Sequence, residues 1–121
     1  MSALVERGDR RFQVWAYSVS MARLLLRSTK SDTLATRVDV LFQNVKAIKL
    51  PTLLDGLVVL EADPDEAARI SSETGISLDE ETTVFLVRSG SFDGFVFAGV
   101  CVEVDDEGEY FEPSPLWQDV R

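Results

Sequence analysis

The densest chemistry in the chain is acidic. Asp105, Asp106, Glu107 and Glu109 follow one another with only Gly108 between them, and Glu112 comes three residues later. Clustered carboxylates suit three tasks: holding a divalent cation, moving protons, or meeting a basic partner. A calcium loop of the EF-hand kind needs glycine at its sixth position and an acid at its twelfth. Counted from Asp105, those positions hold Tyr110 and Leu116, so the pattern fails. A carboxylate pair for acid–base work, as in glycoside cleavage, would draw on residues such as Glu103 and Glu112, but no spacing motif ties them together. With 21 acids in the chain, a close pair somewhere is expected by chance. An acidic surface remains. Complementary charge steers association with a basic protein, so Asp105, Asp106, Glu107, Glu109 and Glu112 are the partner-binding candidates.

Other chemistry is scarce. The chain has no histidine and one cysteine, Cys101. Histidine-based nucleophilic machinery and histidine-ligated metals are therefore excluded, as are an internal disulfide and a multi-thiolate zinc site. Cys101 sits in the apolar run Phe97–Val102 and is expected to be an inert core thiol. No glycine-rich phosphate loop occurs, and Ser89-Gly90-Ser91 is no nucleophile elbow. No enzyme activity, cofactor or metal is expected. The aromatic residues Trp15 and Tyr17 share a face with Gln13 under strict alternation, which makes them candidate binding residues on a part-exposed strand. Trp117, in the Pro-containing tail, is a candidate anchor for a partner.

Charge divides along the sequence. Residues 1–60 hold nine Lys/Arg and five Asp/Glu, a net of +4. Residues 61–121 hold three and sixteen, a net of −13, so the chain carries −9. Such a chain is a poor general binder of nucleic acid or of anionic membranes. The basic residues Arg7, Arg10, Arg11, Arg23, Arg27, Lys30 and Arg37 are expected to line a solvated strand face. The partner is expected to be a basic protein, or a second copy of the chain that sets its basic half against this acidic one.

These residues need elements to position them. At 121 residues, 45% hydrophobic and 27% charged, the composition fits one soluble domain, residues 1–121. Apolar runs stop at four residues, as in Leu57–Leu60, far short of a membrane span. The first residues offer no apolar export core, and with the single cysteine this favours a cytoplasmic setting. Residues 1–11 read as a loose N-terminal arm and 113–121 as a Pro-containing C-terminal tail. Strands are expected at 12–19, 23–29, 36–45 with a continuation past a bend at Asn44, 57–62, 82–88, 95–104 and 109–112. Asp55-Gly56 and Asp105–Gly108 read as turns. One helix is expected from Asp63, a capping residue ahead of Pro64, to Gly75. The fold class is mainly β (α+β): a single-domain antiparallel sandwich or barrel of seven to eight strands with one short helix.

The segments Tyr17-Ser-Val-Ser, Arg23-Leu-Leu-Leu-Arg-Ser, Thr36-Arg-Val-Asp-Val-Leu-Phe and Phe111-Glu-Pro-Ser-Pro-Leu resemble stretches of small β-rich bacterial proteins. Some of those are similar to immunity proteins of toxin systems. The resemblance covers about half the chain and carries no site residue. It implies a cytoplasmic, non-enzymatic protein that neutralises a toxin by binding it. The first functional reading is thus a protein-binding module, immunity-like, with an acidic face. The alternatives are a β domain that holds a small ligand and a homo-oligomeric structural protein.

Overall fold

Alternating side chains set most of the strands. The structure is a computed structural model that describes residues 3–109. Its elements are β1 (Val5–Ser18), β2 (Arg23–Ser28), β3 (Arg37–Gln43), β4 (Ala47–Lys49), β5 (Leu53–Glu61), α1 (Pro64–Thr74), β6 (Thr83–Ser89), β7 (Phe92–Ala98) and β8 (Val100–Asp106). All eight strands are antiparallel and lie in one sheet, ordered β4-β7-β6-β5-β1-β2-β3-β8. The mainly-β class read from the sequence is the class found.

The two ends of that order are brought together by the chain itself. β4 follows β3 after a bend at Asn44 (φ 58°), and β8 follows β7 across Gly99. The Gly99 amide donates to the Gln43 carbonyl at 2.8 Å, and the Lys46 amide to the Phe97 carbonyl at 2.7 Å. Backbone bonding thus passes from the β3·β8 pair to the β4·β7 pair without a gap. The sheet is rolled, barrel-like, around a single core. Leu24 and Leu26 of β2, Val38, Val40 and Phe42 of β3, Leu54, Leu57 and Val59 of β5, and Phe85 and Val87 of β6 all belong to it. Phe42 and Phe85 meet edge to face, their ring centroids 5.6 Å apart, although three strands lie between β3 and β6 in the pairing order.

The helix forms where its caps predict. Asp63 accepts from the Glu66 amide at 2.8 Å, Pro64 opens the first turn, and the Gly75 amide donates to the Ser71 carbonyl. α1 buries Ile70 against Val84 and Phe97, on the outer side of β6 and β7. It covers a sheet face. Under it β7 is buried on both sides, with Val96 and Ala98 in the core and Phe97 beneath the helix. Gly94 lets β4 come close: a Cβ there would stand 2.0 Å from the Lys49 carbonyl oxygen.

Three segments pair differently from what their composition predicts. Residues 5–11 are no loose arm but the first half of β1, where Val5, Glu6 and Arg7 pair with Val59, Val58 and Leu57. Polar composition hid this, because a strand held from outside by backbone pairing needs little local apolar pattern. Asp55-Gly56 does not turn the chain. β5 runs through it, with Gly56 at φ 78° opposite an irregularity of β1 between Arg7 and Arg11. A positive φ is open to glycine, which lets a strand bulge rather than reverse. Asp105 and Asp106 close β8, in register with Val38 and Arg37, and are not a turn. The proposed return strand at 109–112 lies almost wholly outside the described residues.

Candidate functional site

Strand parity assigns the charged residues to two places. On β2 and β3 the core residues Leu26 and Val40 alternate with Arg27 and Asp39, which are cross-strand partners. Arg27 and Asp39 therefore occupy the other face of the sheet, with Leu25 and Leu41. That face is buried too: Arg27 is 2% exposed, Asp39 0%, Leu25 2% and Leu41 1%. Arg27 Nε donates to Asp39 Oδ1 at 2.8 Å, and Nη2 to Oδ2 at 3.2 Å. Arg37, equally buried, stands 3.9 Å from Asp39 and makes two 3.0 Å bonds to Asp106. The arginines expected on a solvated face are thus in part buried. Cross-strand register, which a single segment does not reveal, supplies their carboxylates.

The second place is one end of the barrel. Arg7 lies on the Leu57 side of β1 and reaches β8, where Nε meets Glu103 at 2.8 Å and Nη1 meets Asp105 at 3.2 Å. The hydrogen bond to Glu103 raises the Arg7 pKa further. Arg10, also buried, donates to Ser28 and to Thr36. Lys30 stands 3.3 Å from Glu109.

The acidic candidates are consequently engaged. Asp105 pairs with Arg7, Asp106 with Arg37, and Glu109 with Lys30. The Arg37 hydrogen bonds hold the Asp106 carboxyl below its ordinary range. Glu107 is exposed and, alone of these four, has no ion pair among the described residues. Glu112 and Trp117 lie outside the described residues. Trp15 is half-buried, with the Arg27 guanidinium 4.9 Å from its ring centroid, a cation–π contact. Tyr17 is 46% exposed. The two do not share a face as strict alternation predicts. The β1·β2 register shifts between Val14 and Ala16, so Tyr17 comes opposite the core residue Leu24 while Trp15 stays over Arg27. Family models, curated proteins and solved structures, each searched, gave no match.

The acids that sequence reading passed over lie elsewhere. Glu61 ends β5 and faces Phe85 in the register with β6, so residues 61–66 and 79–83 gather at one end of the sheet. Of the eight acids between Glu61 and Glu81, Glu66 and Glu73 flank Arg69, Asp79 meets Lys46, and Asp63 caps the helix. Glu61, Asp65, Glu80 and Glu81 are exposed and without an ion pair among the described residues. The available signal was the excess of acids over bases in 61–81, which the tighter cluster at 105–109 overshadowed. Six positions of β5 separate Glu61 from Asp55 at the arginine-rich end, roughly 20 Å of strand. The molecule is therefore charged differently at its two ends.

Asp79 organises the acidic end. It accepts from Lys46 Nζ at 2.5 Å, Thr82 Oγ1 at 2.7 Å and the Glu81 amide at 2.9 Å. The Lys46 bond, with Thr82 second, holds its pKa down from 3.8 to about 2. A carboxyl whose folded pKa is depressed stabilises the fold above the unfolded value, and that contribution fades as pH falls from about 4 towards 2. Lys46→Ala is expected to return the Asp79 carboxyl towards 3.8 in a carbon-13 NMR titration. An unmoved midpoint would show that Lys46 does not set it.

Among the described residues no three acids or thiols converge as metal ligands, and no helix is long and apolar enough to cross a membrane. Burial, then Glu103, pushes the Cys101 thiol up to about 12, so it is protonated and a poor nucleophile near neutral pH.

Proposed function

We propose that this is a non-enzymatic, cytoplasmic protein-binding module that presents an acidic end to a basic protein partner. The observation that carries the reading is the contrast between the two acidic clusters. Arginine and lysine engage Asp105, Asp106 and Glu109 within the fold, whereas Glu61, Asp65, Glu80 and Glu81 stand exposed and uncompensated. Rim charges of this kind set association rate and salt dependence more than they set affinity. Glu107 extends the negative surface at the far end. The likeness to immunity-type proteins adds a role, inhibition of the partner by covering its basic site. Affinity capture from the lysate of the source cell, at low and then at moderate salt, tests the reading. One basic protein, retained at low salt and released as salt rises, is the expected result. Recovery of the bait alone would contradict it and turn attention to self-association.

A further inference from the structure

Burying a charge without a counter-charge is costly, so buried cations are normally paired. Arg27 has Asp39 and Arg37 has Asp106. Arg10 departs from this rule. It is 6% exposed, and every acceptor it meets is neutral. Nε donates to Ser28 Oγ at 3.0 Å, Nη1 to Thr36 Oγ1 at 3.0 Å, and Nη2 to the Thr36 carbonyl. A guanidinium carries five N–H donors, and these bonds use three.

Arg10 also lines a cleft of about 630 Å³, bounded on other sides by Arg11, Ser28, Thr29 and Ser31. That volume lies within the range of roughly 300–1,000 Å³ common for small-molecule sites. Its two acids are Asp9, exposed and without an ion pair among the described residues, and Asp55, which Arg11 engages at 2.8 Å. The cleft thus joins a buried guanidinium that no carboxylate engages to the hydroxyls of Ser28, Thr29 and Ser31. We infer that it binds a small molecule carrying an oxyanion, a carboxylate or a phosphodiester, whose oxygens accept from the Arg10 N–H groups that Ser28 and Thr36 leave free. Carboxylate and phosphate oxygens are the acceptors to which a guanidinium N–H bonds most strongly. The inference is independent of the acidic-end reading, since the cleft lies at the opposite end of β5.

The test is a proton–nitrogen NMR titration of the whole chain with benzoate, with diphenyl phosphate, and with benzylammonium as the cationic control, at constant ionic strength. Saturable shifts at the amides of residues 8–11 and 28–31, and at the Arg10 side-chain Nε–H, are expected with at least one of the two anions and not with the cation. The anion that binds more tightly identifies the group. Arg10→Met is expected to weaken binding at least tenfold. Should that variant fail to fold, Ser31→Asp, an exposed change that adds a negative charge to the cleft, is expected to weaken binding at least fivefold. Absence of saturable shifts with both anions, equal response to the cation, or unaltered binding in the folded variants would overturn the inference.

Discussion

Asp39→Ala is expected to cost about 3–5 kcal/mol of stability, the range found when one partner of a buried ion pair is removed. Asp39 is wholly buried and accepts two hydrogen bonds from Arg27, with Arg37 3.9 Å away. The alanine leaves both guanidiniums in place and removes the carboxylate between them. Much of the loss is the desolvation of the Arg27 cation, which no longer faces its anion, whereas Arg37 keeps Asp106. The double change Arg27→Met with Asp39→Leu removes both charges while roughly keeping volume, and should recover most of the loss. Urea unfolding of the three proteins measures this directly. A loss below about 1 kcal/mol for Asp39→Ala, the size of an exposed pair, would mean that this side of the sheet is wetter than the structure has it.

Phe42→Ala is expected to cost about 3–5 kcal/mol, through lost transfer energy and the cavity left behind. Phe42 is 0% exposed and packs edge to face on Phe85. The pair also reports on the rolling of the sheet, because β3 and β6 are not hydrogen-bonded neighbours. A double-mutant cycle on Phe42 and Phe85 should give a coupling of about 0.5–1.5 kcal/mol. Additive effects, within about 0.3 kcal/mol, would show that the two rings do not meet.

What the sequence revealed was local. Asp63, Pro64 and Gly75 announce the helix because caps act within a turn of it. Val38, Val40 and Phe42 announce β3 because one face is core. Asn44 marks where the strand that begins at residue 36 bends. What stayed hidden depends on pairing between distant segments. Val5–Arg11 looks like a polar arm until β5 is seen to hold it. Trp15 and Tyr17 look coplanar until the bulge after Val14 separates them. Arg27 and Asp39 look like surface charges because neither strand alone tells which residue lies opposite. Leu25 and Leu41, apolar on that same face, were the hint that it is buried. Asp105 and Asp106 looked available for the same reason: their arginines lie 69 to 98 positions away in the chain.

The most direct test of the account repeats the lysate capture with two variants beside the natural chain. One is Glu61→Lys/Asp65→Lys/Glu80→Lys/Glu81→Lys, which reverses the uncompensated end and leaves the core and the buried ion pairs untouched. The other is Glu107→Lys. The account predicts that the fourfold variant loses the basic partner at low salt, whereas Glu107→Lys retains it. Undiminished capture by the fourfold variant, with its fold confirmed by circular dichroism, would contradict the acidic-end reading.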